Sequence, residues 1–270
     1  MILFVVEGAD REMTIFDSIS SIFFAGKNKV LTIVAPAEMN IYMLYNLLAK
    51  DDFETDVIEV IRENSKEAAA QLNGFSRDDF AEIYYFFDFD EHGNNLSDDC
   101  LDSIDVLQKL LTIFDNETEN GKLYISYPMI EAARDYDQAS CGTANGNCFV
   151  NRIDFGNYKH DSSSLAANND FRKYTFPTWK LAIFNFIYRI CCLFQKREIE
   201  RKDYVCLVNP YSIFINQIKV YCIKGNIFVL SAIPEFLLDY FPILWNSVVG
   251  KRKRFEFINN CSHLINESVE

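Results

Sequence analysis

The chain has 270 residues, 49% of them hydrophobic, and a formal net charge of −13. Apolar and aromatic residues run throughout, which excludes a disordered chain and suits one large domain or two small ones. So acidic a surface does not hold nucleic acid by itself, because such binding draws much of its affinity from Lys and Arg on phosphates. Any nucleic-acid function therefore needs a local basic patch, metal ions or a basic partner.

The elements follow in chain order. Met1–Val6 is a continuous apolar run, the pattern of a strand buried on both faces of a parallel sheet, and Glu7-Gly8 ends it. From Asp10 the apolar positions Met13, Ile15, Phe16, Ile19, Ile22 and Phe23 recur at helical steps, with Gly26 as the stop. Val30–Ala35 reads as a second strand closed by Pro36, and Met39–Leu48 as a second helix. Residues 51–80 are charged and less regular, with helices expected around Val57–Ile61 and Lys66–Leu72. Ile83–Phe87 is a third buried strand ending at Asp88. A polar loop, Glu91–Asp99, leads to a helix over Leu101–Phe114 and a fourth strand over Lys122–Tyr127. Strands alternating with helices predict an α/β fold with a doubly wound parallel sheet.

After about Asp135 the pattern changes. Residues 138–170 are rich in Ser, Gly, Asn and Asp and predict a long loop or insertion without regular elements. A helix near 178–194 follows, then strand-like runs at Tyr204–Val208 and Val220–Leu230, and a helix after Pro234. The expected division is a metal-binding domain over 1–135, a loop or insertion over 136–175 and a mixed, mainly helical region over 176–270. Lys180, Asn185 and Arg189 interrupt the apolar stretch Phe176–Phe194 at helical spacing, predicting an amphipathic helix rather than a membrane span. The apolar start lacks a basic n-region, so no signal peptide is expected. Eight cysteines without a C-x-x-C pair, and only three histidines, argue against zinc and for buried thiols in a reducing cytoplasm.

Acidic residues gather where strands end, the edge at which open α/β sheets bind ligands. Glu7 follows the first strand, Asp88 and Asp90 end the third, and Glu131 comes shortly after the fourth. Converging carboxylates repel, and a hard cation such as Mg2+, or Mn2+ in its place, relieves that repulsion. Plainer readings stand beside this one. Glu7 would suit the N-terminus of the following helix, Asp88 and Asp90 would suit a solvated loop, and Glu131 and His92 would suit solvent. Asp135-Tyr136-Asp137 repeats the D-x-D spacing without a strand end before it.

Val5-Val6-Glu7-Gly8 followed by Asp88-Phe89-Asp90 resembles the TOPRIM signature of topoisomerases, bacterial primases and overcoming-lysogenisation-defect nucleases. In that family a Glu, usually before Gly, follows the first strand, and a D-x-D follows the third. The resemblance covers roughly residues 1–135, and Pro128-Met129-Ile130-Glu131 is similar to a Pro-x-x-Glu segment in some small members. It departs from the family pattern at His92, where many members carry a third acid, and in the long interval from Glu7 to Asp88. The resemblance implies a magnesium-dependent nuclease acting on DNA or RNA, of the phage-defence kind that works with an ATPase sensor. It implies Asp88 and Asp90 as metal ligands, Glu7 as ligand or general acid/base, and Glu131 as an auxiliary ligand. Lys251, Arg252, Lys253 and Arg254 form a basic run suited to phosphate backbone. A homodimer is a further expectation, and no membrane partner is expected. Two other readings compete: a non-catalytic TOPRIM-fold interaction module, and a haloacid-dehalogenase-like phosphatase using Phe87-Asp88-Phe89-Asp90. The phosphatase reading lacks the Gly-Thr expected after that motif and leaves Glu7 unexplained.

Overall fold

The continuous apolar runs of the first half become the inner strands of a mostly parallel five-stranded sheet. The structure is a computed structural model that describes residues 1–25, 32–89, 96, 102–135, 148–152, 156–165, 169–196 and 198–249. It divides into two units, one formed by 1–130 with 170–174, the other by 131–169 with 175–270.

In the first unit the sheet order is β2-β1-β3-β5-β4. Strands β1 (Ile2–Val6), β2 (Thr32–Pro36), β3 (Glu82–Asp88) and β5 (Gly121–Ser126) are parallel, in the register Val6↔Pro36, Val6↔Phe86 and Phe86↔Tyr124. A two-residue strand β4 (Asp115–Asn116), which the sequence pattern does not reveal, adds an antiparallel edge on β5. Alternation sends Phe4, Phe86 and Tyr124 to one face. There helix α1 (Arg11–Ile19) and the π turn after it, Ser20–Phe24, cover them. Phe16 lies 5.0 Å from Phe4 and 4.6 Å from Phe86, and Phe24 lies 5.7 Å from Phe4. Tyr85 points to the other face and meets Phe114 at 5.0 Å, at the end of helix α5 (Ser103–Ile113). Helices α2 (Ile41–Leu48), α3 (Val57–Asn64) and α4 (Lys66–Gln71) complete the unit. Each starts at a side chain that accepts an amide of its own first turn: Asn40, Asp56 and Ser65.

Gly121 has φ +98, and a Cβ there would lie 2.2 Å from Tyr85 Cε2. Tyr85 is 2% exposed and packed on Phe114, so it cannot yield. Gly121→Ala is expected to lower stability by about 3 kcal/mol, from overpacking and left-handed strain together; a denaturant titration reads it. A loss below 1 kcal/mol would contradict this account.

Against the expected 1–135, the first unit comprises residues 1–130 together with the segment Asp170–Tyr174. Its short 3-10 turn buries Phe171 and Tyr174 and packs against α1, with Asp170 capping the amide of Arg172. Residues 136–175 are also not structureless. Strand β6 (Phe149–Asn151) and helix α6 (Tyr158–Leu165) lie within them, too short and too polar to give a periodic signal.

The second unit is mainly helical, with β6 pairing antiparallel to β7 (Asn226–Phe228). Helix α7 (Phe176–Leu193) is capped by Thr175 and buries Trp179, Ile183, Phe186 and Ile190 at alternating four- and three-residue steps. Helices α10 (Ala232–Tyr240) and α11 (Ile243–Val249) pack on it. The strand-like run Tyr204–Val208 is instead helical, since α8 spans Arg201–Leu207 and is followed by α9 (Pro210–Asn216). Of Val220–Leu230 the extended part is β7 and the residues just after it, where the Val229 amide donates to the Cys148 carbonyl at 2.8 Å. The residues before β7 continue α9 as a π turn and a 3-10 turn. Asn185 and Arg189, expected on the polar face of α7, are buried at 6% and 2% exposure. Among the described residues no helix is long and apolar enough to cross a membrane.

Tyr204 is buried against Trp245, with ring centroids 5.1 Å apart, and among the described residues its hydroxyl has no hydrogen-bond partner. Burial first, then the charges of Asp239 and Glu235, push its pKa well above the ordinary phenol value. Tyr204→Phe is therefore expected to stabilise the fold by about 1 kcal/mol, since it removes a buried unsatisfied hydroxyl. A phenol with a raised folded pKa contributes stability that is complete below its unfolded value near 10 and is lost as pH rises through the folded value. The wild type should lose thermal stability above pH 10, and the variant should lose less. A variant that melts lower than wild type at pH 8 would contradict this.

Candidate metal centre

Strand β1 leads on to β2 on one side, and β3 leads on to β5 on the other. The crevice beyond the carboxyl ends of β1 and β3 is thus the topological switch point, where doubly wound sheets bind ligands. Glu7 and Asp88 stand there on neighbouring strands. The Glu7 amide donates to the Phe86 carbonyl at 3.2 Å, extending the ladder one step past β1. Its carboxylate Oε2 then accepts the Asp88 amide at 3.0 Å. Both side chains are half-buried. Asp88 is the last residue of β3, in register with Ser126 of β5, and the next amide, from Phe89, donates to the Ser126 carbonyl at 3.0 Å. Phe89 turns inward onto Tyr127, 5.2 Å between centroids, and fixes the strand end.

A Cβ at Gly8 would lie 3.0 Å from the Glu12 carboxylate, in the first turn of α1, so a side chain at position 8 would ask only a small shift of the flexible Glu12 end. Asp10 is the N-cap residue of α1, and the Oε2 bond of Glu7 runs to β3.

Glu131 belongs to the second unit and is 2% exposed. Its Oε1 lies 3.8 Å from Arg134 Nη2 and 3.7 Å from Lys159 Nζ. Asp135 of the second D-x-D is also structural: its oxygens meet Arg189 Nη2 at 3.3 Å and the Tyr158 hydroxyl at 3.2 Å. Burial first, then the Asp135 charge, raise the Tyr158 pKa well above the ordinary phenol value. Asp90, His92 and Lys251–Arg254 lie outside the described residues. Among the described residues no three His, Cys, Asp or Glu side chains converge closely enough to hold a metal.

Comparison with known protein families, curated proteins and solved structures finds no match. The chemistry of the pair therefore rests on its own donors. Glu7 and Asp88 place carboxylate oxygens, hard donors, at neighbouring strand ends of this edge, and Mg2+ is commonly held by one or two carboxylates together with water and phosphate oxygens. Glu7 and Asp88 fit that requirement. Two acids that sequence reasoning missed border the same edge. Glu12 gives no signal because it reads as an ordinary first-turn acid. Glu38, beyond β2, carries no motif, and its conformation alone singles it out.

Proposed function

We propose that the first unit is a TOPRIM-type domain whose Glu7, Asp88 and Asp90 form the centre of a metal-dependent nuclease. The observation that supports this best is the bond from the Asp88 amide to the Glu7 carboxylate at the switch point of the sheet. It ties the two strand ends that carry the Glu and the D-x-D of the signature. Asp88 and Asp90 would hold Mg2+, and Glu7 would act as a third ligand or as the group that moves a proton. Bound there, the ion would polarise a scissile phosphate and stabilise the leaving oxygen. The chain's own part is to fix Glu7 and Asp88 at neighbouring strand ends, so that little reorganisation is needed when charge develops.

A net charge of −13 makes substrate affinity the weak term. The run Lys251–Arg254, or a basic partner such as an ATPase sensor of a defence system, would supply it. The test is cleavage of labelled DNA and of RNA, with Mg2+ or Mn2+ against chelator, by wild type and Glu7→Gln. Each is assayed alone and co-expressed with its genomic neighbours. Metal-dependent cleavage by wild type only is the expected result. Equal cleavage by both proteins would place the activity elsewhere. Metal binding without cleavage in any setting would favour a non-catalytic module.

A further inference from the structure

Glu38 is exposed, it is not glycine, and it has φ +54, in the left-handed region that a side chain enters at a cost of about 1 kcal/mol. Two bonds accompany that conformation. Its amide donates to the Glu7 carbonyl at 2.9 Å. Its carboxylate Oε2 accepts the Ser65 hydroxyl at 2.7 Å. Ser65 is itself fixed, because its Oγ accepts the Ala68 amide at 3.0 Å as the N-cap of α4. One residue before, the Ala37 amide donates to the Val6 carbonyl at 2.7 Å. The chain leaving β2 therefore grips the end of β1 at two successive carbonyls, and the second grip is braced through the Glu38 side chain to a helix cap.

We propose that Glu38 is a positioning residue for Glu7. Ser65 holds the Glu38 carboxylate, which holds the left-handed turn, which aims the Glu38 amide at the Glu7 carbonyl. With its backbone held by Glu38 on one side and by Phe86 on the other, Glu7 keeps its carboxylate on the Asp88 amide. The role is mechanical and does not make Glu38 a ligand. It rests on the metal-centre reading only where metal is the readout.

Glu38→Gly separates this from a plain structural role. Glycine takes φ +54 freely and keeps the amide, so the apo fold should melt at or above the wild-type temperature. The brace to Ser65 is lost. The Asp88 amide, which reports directly on the Glu7 carboxylate, should then exchange faster with solvent. Mn2+ affinity, measured by titration calorimetry with the metal alone, should weaken by about tenfold, as loss of a group that orients a ligand typically does. Glu38→Gln keeps an oxygen for Ser65 and should restore both. Unchanged Asp88 exchange in Glu38→Gly overturns the proposal. Glu38→Gln behaving like Glu38→Gly also overturns it, because the charge and not the brace would then matter. If wild type binds no Mn2+, the metal-centre reading fails, and Asp88 exchange alone decides whether Glu38 positions Glu7.

Discussion

Glu7→Gln is expected to reduce magnesium-dependent cleavage by about 10²–10⁴-fold while leaving the fold intact. The amide oxygen of Gln can still accept the Asp88 amide, so the link between the ends of β1 and β3 survives. What disappears is the negative charge and the capacity to take up a proton, and positioned proton transfer alone contributes roughly that factor. Gln keeps the size of Glu and the bond to the Asp88 amide, so the metal-free protein should melt close to wild type. The shift of the melting temperature on adding Mg2+ should shrink, since a ligand stabilises only as far as it binds the folded state. Cleavage rate and thermal shift must move together. A Gln variant with wild-type cleavage would remove Glu7 from the chemistry. One with lost cleavage and a collapsed fold would show that the charge serves structure.

The places of Glu7 and Asp88 are legible because both mark the ends of strands buried on two faces. Such strands read as unbroken apolar runs, and the polar residue that ends one marks the sheet edge. The pairing of β1 with β3 is not written in either strand. It follows from the crossover that places β2 on one side of β1 and β3 on the other. Glu38 was illegible for a different reason. Its role comes from a backbone angle and a bond to Ser65 across 27 positions, and neither leaves a pattern in sequence.

In the second unit, local pattern misled where a side chain replaced backbone. Val220–Leu230 is apolar and β-branched enough to predict a strand. Gln217, fully buried, uses its side-chain amide to donate to the Phe228 carbonyl at 2.7 Å and to accept the Phe228 amide at 3.0 Å. It thereby serves β7 as a strand neighbour would, and the residues after it remain helical. Tyr204–Val208 reads as a strand because α8 is only seven residues long and buries only Tyr204, too little to show a period. Polar residues at helical spacing on α7 suggested a solvent face. Burial of Asn185 and Arg189 reverses that, and the partner that makes burial of Arg189 tolerable, Asp135, lies 54 positions away.

That pair carries the largest expected stability effect. Asp135→Ala should destabilise the second unit by about 3–5 kcal/mol, the range found when one partner of a buried ion pair is removed. Arg189 would keep its bond from Nη1 to the Val229 carbonyl, 3.1 Å, but at 2% exposure would lose the carboxylate that faces its Nη2. The Tyr158 hydroxyl would lose its acceptor at the same time. Asp135→Asn should cost less, because an amide oxygen can still face the guanidinium. Arg189→Met combined with Asp135→Leu should cost much less than the two single changes added, since neither charge of the pair then remains without the other. The measurement is a double-mutant cycle by denaturant unfolding, with the coupling energy as its readout. Additive losses would mean that Arg189 and Asp135 stabilise the unit independently, through the Val229 and Tyr158 contacts, rather than through each other.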